Sequence, residues 1–316
     1  MTRIVTLTLN PAIDETVLLE RLRPGHVHRA SGVAFHPGGK GVNVASCLAD
    51  WGLPVIATGI LGRGNAGTFE ALFTSKHITD AFLRVAGETR TNIKLSHDGE
   101  TTDINLPGLR ISPEESTRIF EQTLALADEN TLVVLGGSLP AGIAENFYAG
   151  LTMALRERGA RTLLDTSGIP LTRALQAAQL PYCIKPNRSE LEFYVGGTLN
   201  SDESLIDAAR QLITRGVSLV VISLGAEGAL FVTASEVLRA ALPALRVTST
   251  VGAGDAMVAG IVAALCENAG LEATARLATA FATAKLQHAG ANLPARQNVE
   301  KLCAQVQIIK QGESRQ

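Results

Sequence analysis

TLVVLGGSLPAGIAENFYAGLTMALRERGARTLLD, residues 131–165, reads as one strand–helix–strand unit. Thr131 to Leu135 is almost wholly apolar and runs into Gly136-Gly137-Ser138-Leu139-Pro140, a chain-reversing cluster. Asn146 to Arg158 repeats apolar residues at helical spacing, and Thr162 to Asp165 is a second short apolar run. A strand with apolar residues on both sides belongs in a parallel sheet covered by helices on both faces.

The same rhythm continues outward from this unit. Further strands are expected at Arg3 to Leu9, Val55 to Ile60, Tyr182 to Lys185 and Leu219 to Leu224. Helices are expected at Glu114 to Ala127 and Ile206 to Arg215. Repetition about every 30 residues predicts an α/β fold built on a doubly wound, mostly parallel sheet, with 1–316 as one domain. Two stretches break the pattern. Residues 15–35 and 90–106 alternate polar and apolar with turn signals such as Asp98-Gly99, and predict small antiparallel strands standing off the main sheet as a lid.

Apolar residues make up 46% and charged residues 18%, enough for a large core. With 28 Lys plus Arg against 30 Asp plus Glu, no general attraction to nucleic acid or an anionic membrane is expected, so an anionic ligand needs a local site. Cys47, Cys183, Cys266 and Cys303 lack metal or disulfide spacing. The N-terminal segment reads as a strand and turn rather than a signal peptide, and no apolar run reaches the ~18 residues of a membrane span. A cytoplasmic protein is the expectation.

In open α/β sheets ligands bind beyond the carboxyl ends of the strands, which directs attention to the loops there. In Ser249-Thr250-Val251-Gly252-Ala253-Gly254-Asp255, two glycines lead into an apolar helix. Close backbone approach and free N–H groups at a helix start suit phosphate oxygens. Asp255 has two readings there, a helix-start cap or a catalytic base. A carboxylate beside an anion-binding turn is costly without a task, which favours the base. Gly38-Gly39-Lys40-Gly41-Val42-Asn43 is either a loop wrapped on a polar ligand or a flexible turn; no Ser or Thr follows the lysine, so it is not a Walker A loop.

Gly62-Arg63-Gly64-Asn65-Ala66-Gly67 matches a dinucleotide fingerprint in form. The acidic residue needed about 20 positions on is missing, however, and tight helix packing is the stronger reading. Asn187 and Glu190, in Lys185-Pro186-Asn187-Arg188-Ser189-Glu190, have capping-box spacing and also suit Mg²⁺ held through water. Ser223-Leu224-Gly225-Ala226-Glu227-Gly228 follows another apolar run. Asp14 could bond sugar hydroxyls or simply make a turn. Arg29 and Arg90 fall in the lid stretches, where single arginines are commonly solvated.

Taken in order, Thr8-Leu9-Asn10-Pro11, GGKGVNVA at 38–45, TRTN at 89–92, GSLP at 137–140, KPNRSELE at 185–192, SLGAEGA at 223–229 and STVGAGD at 249–255 resemble the PfkB branch of the ribokinase-like carbohydrate kinases, over essentially the whole chain. Within it, GGKGVN, TRTNIKL and DGETTDIN are most similar to the bacterial 1-phosphofructokinase branch, with tagatose-6-phosphate kinases and the minor 6-phosphofructokinases as near relatives.

The resemblance implies a ribokinase-like sandwich, a lid that often forms a homodimer, and ATP-dependent phosphorylation of fructose 1-phosphate at its 6-hydroxyl. It implies Asp14, Gly39, Lys40 and Asn43 on the sugar, and Arg29, Arg90 and Ser138 on the phosphate already present. Lys185, Asn187, Glu190 and the loop Ser223, Gly225, Ala226, Glu227 and Gly228 would face ATP and Mg²⁺. Gly252, Ala253 and Gly254 would form the anion hole beside Asp255. K⁺ is implied near Ser249 and Val251, whereas the segment around His288 and Gly290 departs from the family pattern. Two readings of other classes are a nicotinamide oxidoreductase using Gly62 to Gly67 and a non-catalytic sugar-phosphate sensor. The second should lack an acid at 255.

Overall fold

The structure is a computed structural model that describes residues 2–242, 252–287 and 292–311. The chain opens with β1 (Arg3–Thr8), β2 (Ala12–Leu18) and β3 (Gly32–Gly38), followed by α1 (Lys40–Asp50). Next come β4 (Ile56–Gly62), α2 (Gly67–Lys76), β5 (Thr79–Val85), β6 (Thr91–His97) and β7 (Glu100–Ile104). The middle holds α3 (Pro113–Ala125), β8 (Thr131–Gly136), α4 (Phe147–Glu157), β9 (Arg161–Asp165), α5 (Gly168–Gln176), β10 (Cys183–Ile184), α6 (Arg188–Val195) and α7 (Asp202–Thr214). The last third contains β11 (Leu219–Ser223), β12 (Ala229–Val232), β13 (Val237–Ala241), α8 (Ala253–Cys266), α9 (Leu271–Leu286), α10 (Arg296–Gln305) and β14 (Gln307–Lys310).

The main sheet has ten strands in the order β14-β13-β12-β11-β10-β9-β8-β1-β4-β5. From β5 to β11 every pairing is parallel, and β12 to β14 extend it antiparallel. The apolar-throughout strands are covered on both faces, as their composition requires. Ile4, Leu132 and Val134 pack to one side with α1, α2, α8, α9 and α10. Val5, Leu7, Val133 and Leu135 pack to the other with α3 to α7. Alternate residues of a single strand therefore serve two cores.

Sequence order along the sheet reverses at β1, which pairs with β4 on one side and β8 on the other. Such a switch point opens a crevice at the carboxyl edge, where ligands bind in this architecture. The second sheet has the order β3-β2-β6-β7. Its outer pairs are antiparallel and its central β2–β6 pair is parallel. The Asp98-Gly99 hairpin turn forms as expected, with φ of 49° and 79°.

Two glycines permit close backbone approach, one at the carboxyl edge and one between helices. A Cβ on Gly41 would stand 2.5 Å from Thr8 Oγ1, so the first turn of α1 lies directly on the end of β1. A Cβ on Gly260 would stand 2.6 Å from Ala278 Cα, so α8 and α9 touch backbone to backbone.

Candidate active site

The crevice at the switch point is walled by the starts of two helices. α1 begins with Lys40 and carries Asn43 in its first turn; α8 begins after Gly252, whose φ of 82° suits glycine, and carries Asp255. Asn43 Nδ2 donates to Asp255 Oδ2 at 2.7 Å and ties the two helix starts together. Asp255 is 8% exposed. Its pKa is pushed up to about 6, chiefly by burial and then by the nearby Asp165 carboxylate, with Lys40, the Asn43 bond and Lys185 opposing. A carboxylate so placed is a stronger proton acceptor than a solvated one and remains largely ionised at neutral pH.

Asp165, the last residue of β9 and in sequence only a strand end, organises the cations. Its Oδ1 accepts from Lys40 Nζ at 2.9 Å and lies 3.4 Å from Lys185 Nζ. Burial opposes its charge, but Lys185 and Lys40 outweigh that and hold the carboxyl below its ordinary range. Burial likewise opposes charge on Lys40, yet Asp165 and Asp255 raise its pKa above the ordinary lysine value. Two lysines thus share one buried carboxylate beside Asp255. No sequence spacing announces Asp165, because Lys40 opens α1, Asp165 ends β9 and Lys185 follows β10, and only the fold brings the three together.

The Gly136–Ser138 loop sits opposite. Tyr148 Oη donates to the carbonyls of Gly136 and Gly137 at 3.0 and 3.1 Å, and Thr166 Oγ1 donates to Gly137 O at 2.9 Å. Ser138 Oγ accepts from Asn10 Nδ2 at 3.0 Å. Arg90 reaches the same corner, donating to the carbonyls of Asn10, Pro11 and Leu106. Among the described residues it has no carboxylate within ion-pair distance, so its charge remains available to an anion. On the lid, Asp14 accepts from Asn92 Nδ2 at 3.2 Å and pairs with Lys94 Nζ at 3.2 Å; neither partner was singled out from the sequence.

Other expected residues sort themselves by contact. A Cβ on Gly39 would stand 2.7 Å from Thr8 Cγ2, so this glycine lets the loop lie against β1. Asn187 and Glu190 form the full capping box of α6, each side chain bonded to the other's backbone N–H at 2.8 Å. Glu190 Oε1 stays outside that box. Ser223 ends β11, and Gly225, with φ of 62°, turns the chain through Ala226 to Gly228. Glu227 turns its carboxylate outward to Arg239 at 2.9 Å, which leaves only the backbone of this residue to serve a ligand in the crevice.

Arg29 is exposed on the β2–β3 loop and is not brought to the crevice by this chain's contacts. Ser249, Val251, His288 and Gly290 lie outside the described residues.

Two glycines of the dinucleotide-like stretch, Gly62 and Gly64, do serve packing, but against Glu88 rather than a helix, and Gly67 has nothing against it. A Cβ on Gly62 would stand 2.4 Å from Glu88 C, and one on Gly64 2.8 Å from Glu88 Cγ. Asn65 completes the joint: its side chain bonds the N–H and C=O of Thr89, both at 2.8 Å, and so fixes the residue before Arg90. Among the described residues, no group of three or more His, Cys, Asp or Glu is arranged to hold a metal ion directly, and no helix is long and apolar enough to cross a membrane.

A lysine-flanked carboxylate between two helix starts is equipment for moving a phosphoryl group. The sequence matches the pfkB family carbohydrate kinases over residues 7–298. The chain belongs to the pfkB carbohydrate kinase family. This pfkB kinase is 52% identical over 309 residues to the 1-phosphofructokinase of Xanthomonas campestris, covering 96% of the chain and 97% of that protein. It is 43% identical over 309 residues to the 1-phosphofructokinase of Rhodobacter capsulatus, with 97% of each chain covered. Among solved structures, phosphofructokinase-2 from Escherichia coli in complex with potassium superposes with a TM-score of 0.90 at 31% identity, covering 96% of this chain and 99% of that one. The ribokinase-like architecture, a mostly parallel sheet with a smaller second sheet, is common to both.

Proposed function

We propose that this kinase transfers the γ-phosphoryl group of ATP to the 6-hydroxyl of D-fructose 1-phosphate, giving fructose 1,6-bisphosphate and ADP. The observation that carries the chemistry is Asp255, buried at the first turn of α8, bonded to Asn43 and shifted to a pKa of about 6. Its carboxylate takes the proton of the hydroxyl as that oxygen attacks phosphorus in line and ADP departs. The N–H groups from Gly252 to Gly254 and the ammonium groups of Lys40 and Lys185 meet the charge on the transferring group. Lys40 reaches toward this point because Asp165 holds it.

The choice of sugar is supported by the names of the near full-length relatives. Asp14, Gly39 and Asn43 would face its hydroxyls; Arg90 and Ser138 would hold its phosphate. Arg29 joins them only through loop closure or a second copy. Lys185, Asn187 and the 223–228 loop would face ATP. Mg²⁺ would arrive with ATP and meet Asn187 and Glu190 through water, which agrees with the capping-box geometry and the open Oε1 of Glu190. It would supply charge neutralisation on the phosphates.

We also propose a cytoplasmic homodimer formed through the lid. Leu18, Val33, Phe35 and Ile104 are all more than two-fifths exposed there, a patch that a second copy would cover. A solved Escherichia coli phosphofructokinase-2 is described as a tetrameric inhibited form, so larger assemblies occur among the relatives.

Steady-state kinetics with ATP and fructose 1-phosphate, fructose 6-phosphate or tagatose 6-phosphate test the substrate. The expected result is a clear kcat/KM preference for fructose 1-phosphate; a preference for either 6-phosphate overturns the assignment.

A further inference from the structure

The loop that follows β11 turns through Gly225, Ala226, Glu227 and Gly228, and of these only Glu227 has a polar side chain with which to anchor it. Its backbone bonds close it on itself: Leu224 N–H donates to Gly228 O at 2.8 Å, and Glu227 N–H to Leu224 O at 3.2 Å. Such bonds give a turn its shape but leave its direction to outside contacts. On the inner side Ser223 N–H donates to Pro186 O at 3.0 Å, and Ser223 forms a parallel bridge with Asn187, so the loop starts beside the cap of α6.

Two contacts with β13 set the outer side. Gly228, with φ of 88°, lies so close that a Cβ there would stand 2.1 Å from Ala240 O. Arg239, the neighbour of Ala240, takes the residue before Gly228. Its Nη2 donates to the Glu227 carboxylate at 2.9 Å and to the Glu227 carbonyl at 3.4 Å. Its Nη1 donates to Asp202, the first residue of α7, where the helix dipole favours a carboxylate. The guanidinium is largely buried, and its planar fork points in fixed directions that a lysine cannot reproduce. Ion pairs near the surface contribute little to overall stability. What this bridge supplies is position, carried from the start of a helix to a loop whose other residues are glycine and alanine.

We propose that Arg239 is a positioning residue of the ATP site: tied to Asp202, it holds Glu227 and so keeps the 225–228 loop in the shape that receives the nucleotide. The inference rests on the reading above that this loop faces ATP. Arg239 touches no substrate in this scheme. It raises the fraction of molecules whose loop is ready, and its loss weakens apparent ATP affinity in proportion as that fraction falls.

Two measurements on the full-length protein test this. Binding of ATP with Mg²⁺ is followed by calorimetry without sugar, and steady-state kinetics give kcat and the KM for each substrate. Arg239→Gln and Glu227→Ala should each weaken ATP binding about three- to tenfold and raise KM for ATP alike, with kcat within about twofold and KM for the sugar phosphate unchanged. The double variant should be no weaker than the weaker single, because both remove one interaction. The two variants also separate position from charge. One loses a cation and the other an anion, so a purely electrostatic effect on ATP would move them in opposite directions.

Opposite shifts, or a Glu227→Ala enzyme that binds ATP as wild type does, overturn the proposal. So does a variant in which melting temperature, kcat and both KM values deteriorate together, the pattern of a merely structural part. Should Arg239→Gln fail to fold, Glu227→Ala decides alone, since that side chain is 66% exposed. A wild type that binds no ATP overturns the kinase reading and this inference with it. A wild type that binds ATP beside unaffected variants overturns this inference only.

Discussion

β8 and β7 show how differently the two sheets are held. Every residue of β8 is buried, and its alternate side chains feed two cores. Every residue of β7 is exposed. The main sheet is stable because it removes apolar surface from water on both faces, at roughly 25 cal/mol per Å². The lid has no such core of its own. It is positioned by polar joints: Asp14 with Asn92 and Lys94, Arg90 on three carbonyls, and Asn65 on Thr89. On the function proposed above, the chemistry would sit on the rigid part, and the recognition of the sugar on the part that ligand or a second copy would complete.

The largest effect should come from the rigid side. Asp255→Asn removes the proton acceptor and should cost ~10²–10⁴ in kcat, with ATP binding retained. The same change should not lower the melting temperature at pH 8. Asp255 has a folded pKa raised to about 6, so its ionised form opposes folding above that pH. The asparagine removes a penalty of roughly 2–3 kcal/mol at pH 8, which shrinks as pH falls through about 6 and vanishes only below about pH 3, where the acid is neutral in both states. Near-full activity of this variant, or a large drop in melting temperature, would break the division between a chemical body and a recognising lid.

A second consequence of that carboxyl is a pH limb. Below about pH 6 the base is protonated, so kcat/KM should fall about tenfold per pH unit, while a profile flat down to pH 5 contradicts the assignment. A smaller effect is expected at the hinge between the two sheets. Asn65→Ala loses both bonds to Thr89, at about 1 kcal/mol each, and should raise KM for the sugar phosphate about tenfold with little change in kcat. An equal loss in kcat would place Asn65 with the chemistry instead. The mildest should be Phe35→Asp on the exposed lid face. Sedimentation should show the assembly shifted toward monomer, with the melting of the main sheet moved by under about 1 kcal/mol.

Much of the body was legible because its signals are local. Apolar-throughout strands, helix periodicity and glycine turns at strand ends are each readable within a dozen residues. They placed β1, β4, β8, β9, β10 and β11, and with them the edge where Asp255 stands. The hairpin of β6 and β7 was legible for the same reason, through Asp98-Gly99.

What escaped was pairing across the fold. Asp165 is an ordinary strand-end acid until Lys40 and Lys185 arrive from separate elements. Asn92 and Lys94 matter through Asp14, from which they are distant in sequence. Glu227 lies in a loop facing the site, yet its side chain is drawn away by Arg239, which belongs to the next hairpin arm.

The bond from Asn43 to Asp255 joins residues 212 positions apart, and that from Lys40 to Asp165 spans 125. Contacts of such long range are slow to form, because chain closure must precede any reward. A nascent chain with Lys40 and Asp165 already assembled still has no base. Activity should therefore appear last during synthesis, in a single step with the docking of α8. An interrupted copy then holds neither Asp255 nor its anion turn, and cannot consume ATP before the sugar pocket is finished.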